Sequence, residues 1–318
     1  MEVSDLMEPT VIVYSSHNRC NYIHNDWIVQ RALRGNRQIL FLPMSNGLVG
    51  DDEYDRQMYS WGTFRWFFDF YWQYGLKAFP FFWNSGLTRD DVDKLMHFLW
   101  ASEVVILGGG DPWLGIERYR SLGARFYNEP DCFERILKER QERGLLTAGF
   151  SAGVDQLCEY VHSSTDHTFQ NPRAFGLARN IIAASHFEHG REGMLAECAH
   201  LHGDCLVFGL PNDSGLSISQ GRLPSGNFYQ MIQFLLDTSW SRPEDQWHIK
   251  TRHGVKIHHI YPDGRHWAFS GGDVLVRLHN EDYTYQEAFI VPPHSPIRDY
   301  WSQHLTQFAS IDHILKTH

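Results

Sequence analysis

The sequence predicts an α/β protein whose central sheet is mostly parallel and covered by helices on both faces, a three-layer α/β/α arrangement. Three observations lead there. Short apolar runs of strand length recur along the first half of the chain, stretches of helical length lie between them, and turn-forming residues close the runs. The runs are TVIVYSS at 10–16, RQILFLP at 37–43, EVVILGGG at 103–110 and LLTAGFS at 145–151. Each is apolar throughout rather than alternating, as expected of a strand buried on both faces. The intervening segments 24–34, 89–101 and 131–143 read as helices. Thr88 stands ahead of Asp90 and Asp91 in a capping arrangement at the start of the second.

Beyond residue 180 the pattern changes. NIIAASHF, DCLVFGLP and GLSISQGRL read as further strands, with LPNDSG and SQG as turns. NFYQMIQFLLD, at about 227–237, reads as a helix. VKIHHIYPDGRHWAF reads as a hairpin turning at Asp263-Gly264, and DVLVRL as another strand. No internal repeat or low-complexity linker separates these parts. The expected organisation is one α/β domain over 1–225 that holds the site, with a C-terminal extension over 226–318 packed on it.

At 318 residues and 42% hydrophobic content the chain is long enough to bury a substantial core. Its formal charge of −10 and the lack of any Lys/Arg block argue against nucleic acid as a partner. Five scattered cysteines without a C-x-x-C pair suit a reducing compartment. The acidic opening MEVSDLMEPT lacks the pattern of a secretory signal, so a cytoplasmic location is expected. The aromatic stretch 59–83 comes nearest to a membrane segment. Arg65, Asp69, Gln73 and Lys77 interrupt it and Gly75 and Pro80 break it, so no membrane partner is expected. It reads either as a helix and strand packing aromatics into the core or as a contact surface, in a homo-oligomer or against substrate.

Gly149-Phe150-Ser151-Ala152-Gly153 matches G-x-S-x-G, the pattern that turns a strand sharply into a helix and exposes a serine. With glycine and serine each near 7% of residues, the pattern arises by chance in roughly one chain in ten of this length, so its flanks must decide. LLTAGF before it is strand-like. Val154, Leu157, Cys158 and Val161 after it fall on one helical stripe. A serine hydroxyl needs a general base, usually a histidine held by a third group, and nineteen histidines leave that base open. Gly109 and Gly110 close a neighbouring parallel strand. Their amides, with that of Ala152, could stabilise an oxyanion beside Ser151.

In this company the chain resembles the serine peptidase family of aspartyl dipeptidases (peptidase E) and cyanophycinase. VVILGGGDPWL is similar to the family's strand followed by G-G-G-[ND], and TAGFSAGV to its G-x-S-A-G-A elbow. SSTD lies where the dipeptidases carry T-T-N-D. IIAASHFEHGRE is similar to I-N-P-H-F followed by G-E-T-R-E, and LVFGLPNDSGLSISQGRL to the G-L-P-E-G strand pair. The match spans about 10–225. The resemblance implies a flavodoxin-like, class I glutamine amidotransferase-like fold and cleavage of short, acidic peptides without cofactor or metal. It implies Ser151 as nucleophile, His186 as general base and Asp166 as the group orienting it. Gly109, Gly110 and Ala152 would serve the oxyanion, and Arg191 and Asp111 the substrate. The chain departs from the pattern in Ala184-Ser185 before the histidine, a shorter histidine-to-arginine segment, and a longer loop between Gly110 and Ser151.

Three other readings remain at this level. His186-x-x-His189, His200-x-His202 and His258-His259, with Glu188 or Asp204, would suit a metal, although no H-E-x-x-H or cysteine pattern accompanies them. A conventional α/β-hydrolase would pair the elbow with Asp273 and His294 or His304. A non-catalytic binding protein would keep the fold and use the extension and the aromatic segment as its working surface.

Overall fold

A computed structural model of the chain describes residues 8–16, 21–47, 53–162, 172–188, 190–236, 255–281 and 285–318. The fold is mixed α/β. Strands β1 (Val11–Tyr14), β2 (Gln38–Leu42), β3 (Lys77–Pro80), β4 (Val104–Leu107) and β5 (Leu146–Phe150) run parallel in the order β1-β5-β4-β2-β3. Alternate residues of β1, β2 and β4 enter two separate cores. Val11, Leu40 and Val105 face the helices Arg89–Ala101, Pro112–Tyr127 and Cys132–Glu142. Ile12, Ile39 and Val104 face the helical segments 21–34 and Glu53–Asp69. Burial on both faces explains the uninterrupted apolar runs. Thr88 caps Arg89–Ala101 in a full capping box with Asp91.

The sheet as a whole is not mostly parallel. Beyond β1 it continues through β8 (Ser214–Arg222), β9 (Phe228–Leu236), β12 (Val274–His279), β13 (Gln286–Val291) and β14 (Arg298–Asp299). Every one of these pairings is antiparallel, giving a ten-stranded mixed sheet. The expected helix at 227–237 is therefore strand β9, held between β8 and β12. Tyr229 and Met231 pack to one side and Ile232 and Phe234 to the other, so apolar residues on both faces imitate a helical pattern. Ser219-Gln220-Gly221, expected as a turn, also lies within β8, and the chain reverses at Pro224–Gly226 instead. The 225/226 boundary thus falls between two hydrogen-bonded strands.

A second sheet, in the order β11-β10-β7-β6, packs over the antiparallel half. It comprises β6 (Ile181–Ala184), β7 (Leu206–Gly209), β10 (Ile257–Ile260) and β11 (His266–Phe269). The hairpin turning at Asp263-Gly264 is present, with Gly264 N–H on Tyr261 O. The helix Glu53–Asp69 buries Trp61, Phe64 and Phe68. Tyr59, Trp66, Phe70, Trp72 and Tyr74 stand exposed on and after it, Tyr59 at 78% and Trp72 at 73%. Among the described residues no helix is long and apolar enough to cross a membrane.

Candidate active site

β5 and the helix Ala152–Leu157 meet at Ser151, whose backbone lies at φ 51° and ψ −115°, a region non-glycine residues rarely occupy. The flanking glycines allow this by close approach. A Cβ on Gly149 would sit 2.4 Å from the Gly153 carbonyl oxygen, and one on Gly153 would sit 2.4 Å from that of Leu107. The serine N–H donates to Tyr14 O at 3.2 Å, tying the turn to the carboxyl end of β1. Ser151 is left half-buried where the parallel strands end, the edge at which open α/β sheets bind ligands.

His186 follows β6, also with positive φ (52°), and its ring reaches the serine: Ser151 Oγ to His186 Nε2 is 3.0 Å. On the other side of the ring, Nδ1 lies 2.6 Å from Asn212 Oδ1, in the turn after β7. An amide oxygen accepts only, so this contact places the proton on Nδ1 and leaves the Nε2 lone pair for the serine hydroxyl. The carboxyl end of β1 secures both partners. Ser15 Oγ accepts from the His186 N–H at 2.6 Å and donates towards Asn212 Oδ1 at 3.5 Å. Ser16 Oγ and the buried Asp213 exchange hydrogen bonds, fixing the turn that carries Asn212.

Asp166 lies outside the described residues, as does His189. The group seen on Nδ1 is Asn212, in GLPND, where the resembled pattern has glutamate. Sequence reasoning missed Asn212, Ser15 and Ser16. Their signal is positional, since all three are polar residues directly after buried strand runs.

Gly109 borders the serine closely: a Cβ there would lie 3.2 Å from Ser151 Cβ and 3.0 Å from the Phe150 ring. Gly110, at φ 128°, presses against the loop after β2, where a Cβ would overlap Ser45 O at 2.1 Å. Buried Arg118 holds that loop by donating to Met44 O and Asn46 O. Asn46 Nδ2 in turn donates to Gly109 O at 2.7 Å. Ala152 opens a helix, where early N–H groups lack helical acceptors. Asp111 is the N-cap of Pro112–Tyr127, and its carboxylate accepts from the Trp113 and Leu114 N–H groups. That explains its presence without a ligand. Arg191 precedes the helix Glu192–Leu201 and lines a narrow cleft with Ser185 and Phe187, the neighbours of His186. It makes no ion pair among the described residues.

Three members of the remaining histidine pairs are engaged elsewhere. His202 stacks on Tyr160, His258 contacts His266 at 3.0 Å, and His259 sits buried between Val207 O and Tyr300 Oη. Among the described residues no three His, Cys, Asp or Glu side chains form a metal-binding group. Asp273 accepts from the Ser270 N–H in the turn before β12, and burial raises its pKa.

No family model matches the chain. It is similar to Peptidase E of Salmonella arizonae, with 25% identity over 136 residues, covering 39% of this chain and 56% of that protein. Peptidase E of Salmonella heidelberg gives 23% identity over the same shares. The chain thus spans 56% of the length of these curated relatives. Among solved structures, a peptidase from an acI-B1 Actinobacterium superposes with a TM-score of 0.53 at 15% identity, covering 85% of this chain and 97% of that one. That likeness is one of fold.

Proposed function

We propose that this chain is a serine hydrolase that cleaves an amide bond of a short peptide through an acyl-enzyme on Ser151. The observation that carries the reading is the relay Ser151 Oγ, His186 Nε2, His186 Nδ1, Asn212 Oδ1, at 3.0 and 2.6 Å, built on a strained strand-to-helix elbow. The partial similarity to Peptidase E supports it. His186 Nε2 takes the hydroxyl proton as Oγ attacks the carbonyl carbon. The amides of Gly110 and Ala152, with Gly109 alongside, receive the developing oxyanion. As the C–N bond breaks, the Nε2 proton passes to the leaving amine. Water then attacks the ester, giving its proton to His186, and serine is restored. This chemistry uses no cofactor. The neutral Asn212 orients the ring as the asparagine of Cys-His-Asn proteases does, without the charge of an aspartate.

Arg191, a guanidinium without an ion pair among the described residues and next to the His186 segment, supports a preference for an acidic side chain in the substrate. We place the enzyme in the cytoplasm on its buried free cysteines Cys132, Cys158, Cys198 and Cys205. We assign the exposed aromatic face around Trp66 and Phe70 to contact between copies of the chain. The test is hydrolysis of Asp-Xaa, β-Asp-Xaa and neutral dipeptides by the native and Ser151→Ala proteins. Cleavage of the acidic members, lost in Ser151→Ala, is expected. Activity retained in Ser151→Ala refutes the mechanism, and unchanged Asp-Xaa preference in Arg191→Ala refutes the specificity assignment.

A further inference from the structure

A cavity of about 310 Å³ opens at the edge of the sheet opposite Ser151. Ser151 bonds to Tyr14, at the carboxyl end of β1. β8 runs antiparallel to β1, pairing Gly215 with Tyr14 and Ile218 with Val11, so Arg222 lies past the amino end of β1. Strand rise separates the two places by roughly 20 Å.

The wall is built on paired strands. Phe228 of β9 lies opposite Arg222 of β8 and opposite His279 of β12, and the Phe228 and His279 rings stack at 5.4 Å. Arg222 and Arg179 both approach this phenylalanine, their guanidinium carbons 4.6 and 5.8 Å from the ring centroid. Two positive charges are thus gathered at one ring. Arg222 has only a long, exposed ion pair with Glu281 at 3.8 Å, and Arg179 has none among the described residues. The amide groups here are committed as donors. Gln141 and Gln220 donate to Leu177 O, and Gln230 donates to Arg179 O and Gln220 Oε1. Gln230 is 3% exposed and its Oε1 has no hydrogen-bond partner. Glu142 adds a carboxylate to the same wall.

A simple anion would satisfy the guanidinium groups and be repelled by Glu142. A ligand with both a carboxylate and an amino group satisfies both sides, and the volume lies at the lower end of small-molecule pockets. We propose that this cavity is a second binding site, separate from Ser151, for a small zwitterion of the amino-acid or dipeptide class. Its carboxylate meets Arg179 and Arg222, and its ammonium faces Glu142 and Gln230. This holds whether or not Ser151 is catalytic.

The test is calorimetric titration of the full-length Ser151→Ala protein with L-aspartate, succinate and inorganic phosphate. Saturable binding of aspartate is expected, stronger than that of succinate or phosphate. Exposed Arg179 and Arg222 can be changed without disturbing the core, and Arg179→Ala/Arg222→Ala should weaken aspartate binding at least about tenfold. Glu142→Gln should narrow the difference between aspartate and succinate, while Arg191→Ala should leave binding unchanged. No binding at millimolar aspartate, equal binding of phosphate, or binding indifferent to the arginine pair overturns the proposal. Loss of binding in Arg191→Ala reassigns the ligand to the Ser151 site and also overturns it.

Discussion

Asn212 offers the sharpest test of the relay. Its amide oxygen, 2.6 Å from His186 Nδ1, is the group seen to fix the ring. During attack on the carbonyl the imidazole becomes positively charged, and this contact becomes a charge-assisted hydrogen bond worth roughly 1.5–3 kcal/mol. Removing it in Asn212→Ala should lower kcat/KM by about 10- to 150-fold, at 1.36 kcal/mol per factor of ten. The backbone should stay in place, because the His186 N–H remains on Ser15 Oγ. Asn212→Asp replaces the amide oxygen with a charge that favours the imidazolium. Because the base must be neutral to act, the acid limb of the kcat/KM profile should then move to higher pH. The assay is steady-state hydrolysis of an aspartyl dipeptide from pH 5 to 9. An Asn212→Ala protein within about twofold of native, or an acid limb unmoved in Asn212→Asp, would show that another group orients His186.

Other expectations follow from the packing. Gly149→Ala or Gly153→Ala drives a methyl into a backbone carbonyl at 2.4 Å, so each should lower stability in denaturant by about 1–3 kcal/mol and reduce Ser151 reactivity. An unaltered midpoint would contradict the close approach. Burial lowers His162 to a pKa of about 4. It does the same to His259, where the hydrogen bond to Val207 O partly opposes the shift. At these two side chains the unfolded state therefore binds more protons than the folded one between pH 6.5 and 4, whereas the buried carboxyls of Asp155 and Asp273, whose pKa burial raises, act in the opposite sense. The contribution of the two histidines is full above the unfolded value of about 6.5 and is lost as pH drops towards 4, by about 3 kcal/mol for each. The difference in urea midpoint between the native protein and His162→Gln/His259→Gln across that range checks the sign, and a difference that does not change with pH refutes it. Trp66→Glu/Phe70→Glu should yield a smaller species in analytical ultracentrifugation. An unchanged sedimentation coefficient removes the aromatic face as a contact between copies.

The parallel half of the sheet was legible because strands covered on both faces must be apolar throughout. The runs ending at Tyr14, Leu42, Leu107 and Phe150 leave little room for another reading. The antiparallel half was not legible for the same reason. β9 is buried on both faces, and an apolar run of that length without clean alternation fits a helix equally well. Its neighbour β12 reads as a strand, but nothing local in DVLVRL says which sheet it joins. The elbow was readable because its glycines are forced by backbone contact. Asn212 is not legible from spacing, because its position beside the imidazole depends on β6 and β7 pairing in parallel and ending together. Pairing across that distance in sequence leaves no periodic trace.

The most direct measurement of the central claim is covalent labelling by a fluorophosphonate probe, followed by mass spectrometry of the modified peptide. The account predicts stoichiometric modification at Ser151 in the native protein, none in Ser151→Ala, and labelling slowed at least about a hundredfold in His186→Ala. An unlabelled native protein, or one labelled equally fast without His186, would contradict it.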